Sequence, residues 1–396
     1  MSAQFISLAL SPVLTRLYSP SDFGIFALYA SVVGVIGVII SGRYEQAILL
    51  PKANPQAAAV FYLSIFLSAF FSLLIAVGII LAQLFLPREI SSRFFWLYFV
   101  PFAAFVTSIS QALGYWGNRR KLYVKVARYR VIQAIATILL SIGAGFIKLG
   151  VFGLVVGSFL GLLTSSGLMA FDFYRQDGHL LRYRMYLRAF IVARRYRNFP
   201  KYLVVAHGMN ATSGQLPVFL MSSFFGSAVT GFFSLTQRAV RFPSQFVAAA
   251  IGEIFHQEAS STFSRTGQCL TVYKSSFKKL FLISIVPFTL LAIAAPILFE
   301  IVFGKEWRIA GEYAQIMVPM YFFQFISSPL STMFMIAEKQ RLDLIWQTFL
   351  LLLNVVALCI GYWFGSAKLG LGLFCLSYSI MYLINGIMTF RFAKGR

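Results

Sequence analysis

The chain has 396 residues, 59% of them apolar and only 12% charged, with a mean hydropathy of +0.78. A soluble globular chain is nearer half apolar and about a quarter charged, so an aqueous fold could not cover this much apolar surface and lipid must be the solvent for much of it. The net charge of +22 suits a nucleic-acid binder in isolation, but the cations alternate with long apolar runs, which argues against nucleic acid; three cysteines without paired spacing and three histidines argue against a structural zinc site.

A helix needs about 20 apolar residues to cross the hydrocarbon core. The first apolar stretch, Phe5 to Leu14, falls short of that and lacks the basic start of a secretory signal. Its exit, Leu14-Thr-Arg-Leu-Tyr-Ser-Pro, reads as the end of a helix entering a turn, hence an abbreviated first transmembrane helix and an expectation that the start codon is misassigned. Eleven full spans follow: Phe23–Ser41, Ala57–Leu86, Phe95–Gly117, Val131–Ile147, Val151–Phe171, Tyr202–Phe225, Val229–Phe255, Leu280–Phe303, Gln315–Ile336, Leu344–Phe364 and Leu369–Phe390. The expected fold class is therefore all-α integral membrane, with about 12 transmembrane helices.

Lys and Arg set the orientation. With the N-terminus inside and twelve spans, 25 cations fall on the inner side and 7 on the outer, including Arg16, Arg88 and Arg93. Both termini are therefore expected in the cytoplasm. The longest polar segment, 174–200, carries with Lys201 eight cations against Asp177 alone, interleaved with Leu180, Phe190 and Ile191. It suits a helix on an anionic cytoplasmic leaflet or, more simply, a linker obeying the positive-inside bias.

That segment divides the chain into 1–173, an N-terminal six-helix lobe, and 201–396, a C-terminal one. A shift of 220 residues places Lys121-Leu122 on Arg341-Leu342 and Lys148-Leu149-Gly150 on Lys368-Leu369-Gly370; a shift of 207 places Gly24, Phe26 and Leu28 on Gly231, Phe233 and Leu235. Two halves of six spans insert in the same sense, which makes this a parallel pseudo-two-fold repeat, as in transporters that rock two bundles about a site near the midplane.

Charges within spans face a cavity or a partner. Arg238 and Arg241 lie three apart on the eighth span, Arg238 roughly 13 Å deep by helical rise, with Gln237 beside them and Pro243 predicting a kink. No acid lies within four positions of either arginine. One reading is a cationic, water-filled site for phosphate oxygens, which guanidinium grips with two bonds; the other is snorkelling, or pairing with a carboxylate such as Glu45. The seventh span offers His207, Asn210 and Gln215, groups that suit sugar hydroxyls or helix–helix hydrogen bonds equally. His207 is a candidate carrier of a coupling proton, or simply a packed polar residue. Arg43 and Glu45, just after the second span, form a gating ion pair or an interfacial anchor, and Glu253 is a candidate cation-coupling carboxylate. No GxxxxGK[ST] loop, HExxH motif or Ser/His/Asp arrangement is present, so neither ATP hydrolysis nor peptidase-type chemistry is expected.

Leu14-Thr-Arg-Leu-Tyr-Ser-Pro-Ser-Asp-Phe-Gly-Ile-Phe-Ala-Leu-Tyr resembles the first inter-helix turn of Wzx-type O-antigen and polysaccharide flippases. Arg43-Tyr-Glu-Gln-Ala-Ile-Leu-Leu-Pro-Lys resembles the stretch after their second span, and Gln215-Leu-Pro-Val and Gly231-Phe-Phe-Ser-Leu-Thr-Gln-Arg more loosely their seventh and eighth. The resemblance implies the multidrug/oligosaccharidyl-lipid/polysaccharide exporter superfamily and a non-enzymatic transporter in the bacterial inner membrane. It implies as cargo an undecaprenyl-pyrophosphate-linked oligosaccharide, with Arg238 in a cationic cavity. Arg241, Gln237, Asn210, Gln215, Arg16 and Arg43 are the further candidate substrate contacts, and Glu45, His207 and Glu253 the coupling or gating groups. No bound cofactor is expected; the coupling ion is H+ or Na+, and the partners are membrane lipids together with polysaccharide polymerase and chain-length proteins. The rivals are an ion-coupled multidrug exporter, which calls for mid-span carboxylates, and a polytopic polymerase or glycosyltransferase, which calls for larger outward loops than these.

Overall fold

The computed structural model describes residues 2–85, 94–181 and 185–395. Leu86, Arg88, Glu89 and Arg93 of the predicted third span and outer loop, and Arg182 and Arg184 of the basic segment, lie outside them. Among the described residues every regular element is helical. In hydrocarbon this is the only open-chain solution, because an α-helix satisfies its backbone hydrogen bonds within itself.

Nine helical runs are long and apolar enough to cross a bilayer among the described residues. One of them, Phe199–Thr266, has 68 residues; at about 1.5 Å per residue it is far too long for a single crossing. It breaks at Gly226, where φ 85° and ψ 180° place the backbone in a region essentially reserved for glycine. Arg308–Leu330 is a further helix of 23 residues, buried along most of its length. At the front, Ser2–Ala9 and Ser11–Leu17 form two short helical pieces where one abbreviated span was expected. The chain is thus an all-α integral membrane protein. The predicted starts at Val131, Leu280 and Gln315 are late by eight, ten and seven residues, since the helices begin at Tyr123, Leu270 and Arg308. Hydropathy sees the apolar part of a helix, and these run on past the hydrocarbon with polar first turns.

The chain packs as two compact units, Met1–Tyr18 with Ile25–Phe219, and Ser19–Gly24 with Leu220–Arg396. In sequence order the helices used below are α1 (Ser2–Ala9), α2 (Ser11–Leu17), α3 (Pro20–Ile39), α4 (Tyr44–Ala47), α5 (Asn54–Phe85), α6 (Phe99–Arg119), α7 (Tyr123–Phe146), α8 (Val151–Asp177), α9 (Met185–Arg195), α10 (Val204–Thr236), α11 (Phe242–Thr266), α12 (Leu270–Phe303), α13 (Arg308–Leu330), α14 (Met333–Ile336), α15 (Gln340–Trp363) and α16 (Ala367–Ala393).

The core of the first unit is aromatic. Phe61 stacks on Phe173 at 4.6 Å, and Trp116 meets Phe173 edge-on at 5.1 Å. The Trp116 indole N–H donates to Asp177 at 2.9 Å, and Arg120 Nε donates to the same carboxylate at 3.0 Å. The one acid of the basic segment is therefore consumed in closing this unit. The basic helix α9 lies against α5 through Ala189 and Val192 and leaves Phe190 and Ile191 exposed.

The repeat is present, but in a different register from the one the identities suggest. Helices α7 and α15 are each 24 residues and their bounds coincide at a shift of 217, since 123 goes to 340 and 146 to 363. The left-handed residues flanking them obey the same shift: Lys121 (φ 58°) goes to Glu338 (φ 56°), and Lys148 (φ 59°) to Gly365 (φ 64°). So does the close helix contact, Ala144 against Gly153 in one hairpin and Gly361 against Gly370 in the other. The shift of 220 thus misses by about one helical turn. It aligned Lys and Gly that collect at helix ends for interfacial reasons.

The shift of 207 marks a direct contact within the second unit. A Cβ on Gly24 would lie 1.7 Å from the Ser227 carbonyl oxygen, and one on Gly231 would lie 1.8 Å from that of Pro20. Adding 207 turns Pro20 into Ser227 and Gly24 into Gly231, so each helix presents to the other what the other presents to it, the reciprocity of a two-fold contact. Two glycines let the backbones touch, as at small-residue crossings in membranes. Gly24→Ala is expected to lower stability by about 1–3 kcal/mol or more, whereas Gly34→Ala, where an added Cβ meets nothing within 4 Å, should leave the melting temperature of the detergent-solubilised protein unchanged.

Candidate functional site

The eighth predicted span departs from a plain α-helix at its arginines. Between α10 and α11 the chain makes a π-helical turn over Gln237–Arg241. Pro243 has no N–H to close the ladder onto residue 239, and the wider i→i+5 turn takes up the slack, as such turns commonly do at functional sites. Where a kink was expected at Pro243, the structure shows the π-helical turn just upstream of it. The wider turn also corrects the shared-face reading: residues three apart are neighbours in α register, and in the described lining of the cavity below only Arg241 of the pair appears. Arg238 and Gln237 are half-buried in the same turn.

That cavity, about 560 Å³, lies within the second unit between α11 and α13. Arg241 stands just before the start of α11; by the helix's rise Glu253 lies about 18 Å and His256 about 22 Å further along it. Tyr321, Gln324, Ser328 and Thr332 face it from α13 and the turn after it, and Ser244 and Gln245 add a hydroxyl and an amide from α11. Two polar atoms at this wall are orphaned: Arg241 Nε and the Tyr321 hydroxyl are buried without a hydrogen-bond partner. Leaving such groups unmet is unfavourable by about 1–3 kcal/mol each. A ligand oxygen reaching both would recover that energy.

A second polar cluster lies within the first unit. Arg43, in the left-handed region at φ 60°, projects its guanidinium back beneath α3. It sits 3.1 Å from a Glu45 carboxylate oxygen and 3.0 Å from His207 Nδ1, while the Ser41 hydroxyl donates to the other Glu45 oxygen. Glu45 is 1% exposed and Arg43 7%. Arginine can only donate, so in this contact His207 Nδ1 is the acceptor. Burial pushes the Glu45 carboxyl above the ordinary carboxylate range, with the Ser41 hydrogen bond, Arg43 and His207 pulling the other way.

The structure therefore sorts the predicted residues into separate places. Arg241 and Glu253 share the cavity; Arg43, Glu45 and His207 share the buried cluster. Gln215 accepts from the Ser31 hydroxyl at 2.8 Å, a helix–helix contact, while Asn210 and Arg16 are exposed. His256, Tyr321 and Gln324 were missed. His256 stands three residues after Glu253 on the same helix, so spacing alone flags it; Tyr321 and Gln324 arrive from another helix, and nothing local marks them.

Residues 13–311 match the family model described as polysaccharide biosynthesis protein. No curated protein sequence matches the chain. Among solved structures, an inward-facing multidrug resistance MATE family transporter of the MOP superfamily aligns with a TM-score of 0.68 at 12% identity, covering 98% of this chain and 94% of that one. The lipid II flippase MurJ in an inward closed conformation aligns at 0.66 and 15% identity, over 98% and 84%. A MOP superfamily transporter from Pyrococcus furiosus, described as having a binding pocket of reversed polarity, aligns at 0.52 and 13% identity, over 98% and 90%. At these identities the likeness is one of fold.

The buried ion pair makes a stability prediction. Arg43→Ala strands a buried carboxylate and should destabilise the protein by about 3–5 kcal/mol, whereas the double replacement Arg43→Met with Glu45→Leu should recover most of that loss. Thermal unfolding in detergent measures both; equal losses in the two variants would show that the pair has no such role.

Proposed function

Because this chain belongs to the polysaccharide biosynthesis protein family and has the fold of the MOP-superfamily transporters, we propose that it is a transporter, not an enzyme, that flips a lipid-linked oligosaccharide. The cargo is an undecaprenyl-pyrophosphate-linked unit of O-antigen or another surface polysaccharide. It moves by alternating access from the cytoplasmic to the periplasmic leaflet of a bacterial inner membrane, in a chain whose termini are both cytoplasmic.

The observation that carries this reading is the Arg241 wall. A pyrophosphate with sugars attached cannot cross hydrocarbon without replacements for its water. Arg241 offers unmet guanidinium donor capacity beside the unmet Tyr321 hydroxyl; phosphate oxygens accept from both, the guanidinium in its two-bond mode. Ser244, Gln245, Gln324 and Thr332 supply the mixed donors and acceptors that sugar hydroxyls need. The polyprenyl tail has no reason to leave the bilayer.

Coupling falls to the Arg43–Glu45–His207 cluster. Protonating His207 at Nδ1 removes the acceptor that holds Arg43, and the carboxyl of Glu45 is already held above its usual range by burial. A proton is thus the coupling ion this geometry favours over Na+. One observation favours the rival exporter of organic cations, namely that Glu253 lines the same cavity as Arg241.

Arg241→Ala should abolish surface polysaccharide in complemented cells at unchanged levels of folded protein, and Arg241→Lys, which keeps the charge but not the planar fork, should restore it in part. Undiminished glycan in the Ala variant sinks the proposal, and loss of ethidium efflux with intact glycan would install the rival. Glu45→Gln should leave residual flipping that no longer responds to an imposed pH gradient in proteoliposomes; a response equal to wild type would remove Glu45 from coupling.

A further inference from the structure

A second concavity, about 520 Å³, opens in the second unit between α12, α13 and α16 and shares no lining residue with the Arg241 cavity. Its composition is graded along its length. At one end stand three cations, Lys274 on α12 and Arg391 and Lys394 at the end of α16. From Lys274 one wall continues through Phe277 and Phe281, whose rings stack at 6.2 Å; from Lys394 the other descends through Ile387 and Leu383. By helical rise these walls extend about 10 and 16 Å, roughly one leaflet's share of a 30 Å hydrocarbon core.

The trough is built rather than incidental. Tyr273 ties α12 to α16 by donating to the Gly386 carbonyl at 3.2 Å, and the Ser327 hydroxyl ties α13 to α16 by donating to the Tyr382 carbonyl at 3.1 Å. Phe322 closes the floor against Phe281 at 6.0 Å. Above that fixed floor, Phe277, Phe281, Leu383 and Ile387 remain exposed at 42, 38, 46 and 55%. The cations at the mouth are exposed as well, and among the described residues none of the three forms an ion pair with a carboxylate. Lys394 lies over the Phe390 ring at 4.6 Å, which holds its ammonium at the mouth.

We propose that this trough is a binding site for an anionic glycerophospholipid of the leaflet on the basic side of the protein, its phosphate held by Lys274, Arg391 and Lys394 and one acyl chain laid along the aromatic wall. Charge at one end only, followed by an apolar channel one leaflet long, matches a molecule with a single anionic head and a hydrocarbon chain. A zwitterionic head would place its own cation among three others. Its lining residues are not those of the Arg241 cavity. Cations near an anionic surface each contribute about 1 kcal/mol, so three together discriminate between headgroups well beyond non-specific lipid contact.

Native mass spectrometry of the full chain, offered equimolar phosphatidylglycerol and phosphatidylcholine with identical acyl chains, tests this. Wild type should retain one phosphatidylglycerol preferentially. Each of Lys274→Ala, Arg391→Ala and Lys394→Ala should lower that preference about fivefold, by conversion of the same per-charge contribution. Ile387→Trp, which fills the channel, should retain neither lipid at this site, and the conservative set Lys274→Arg, Arg391→Lys and Lys394→Arg should bind as wild type does. No headgroup preference in wild type, or an undiminished preference in the triple Ala variant, overturns the proposal. Displacement of phosphatidylglycerol by equimolar undecaprenyl phosphate also overturns it, because the trough would then be a tail site for cargo.

Discussion

Inside hydrocarbon a charge persists only with a partner or with water, because its desolvation is otherwise uncompensated. That constraint separates the arginines of this chain. Arg43 is buried and meets Glu45 and His207 within 3.1 Å. Arg241 keeps a buried Nε without a protein acceptor but stands at the wall of a 560 Å³ cavity. The first arrangement sets its charges against one another, although Arg43 Nε also lacks a hydrogen-bond partner. The second is open, with donor capacity reserved for something that enters. Glu45, one of the carboxylates considered for the arginines of the eighth span, instead serves the arginine two residues before it.

The same constraint explains what the amino-acid sequence made legible. A helix in lipid must be apolar for about 20 residues, so the spans and their order could be read directly. The boundaries could not, because helices such as α12 continue past the hydrocarbon with Thr271, Lys274 and Ser275 in turns that hydropathy scores as loop. The contact of Gly24 with Gly231 was visible as an identity because backbone contact tolerates only the smallest residues. The hairpin register was not, since packing of α7 on α8 and of α15 on α16 depends on shape that many apolar residues satisfy equally well.

Site residues divide along a similar line. Arg241 and Glu253 were found because an isolated charge in an apolar run is conspicuous. Their separation from Arg238 was not foreseeable from spacing, which presumes α geometry, although Pro243 marks where that geometry fails. Tyr321 and Gln324 are ordinary residues in an apolar helix, and only the fold brings them opposite Arg241. The family match over residues 13–311 and the shared fold speak for the whole frame; selectivity rests on these few side chains.

The π turn at Gln237–Arg241 has a consequence for how the protein is made. As ribosomes deliver the nascent chain to the translocon, the segment bearing Arg238 and Arg241 emerges some seventy residues before α13, which supplies the opposite wall. Each arginine near the centre of a span opposes insertion by about 2.5–3.5 kcal/mol. Membrane entry of this segment therefore relies on the apolar residues around the turn, so biogenesis restricts how far the polarity of this span can be raised, independently of what transport demands.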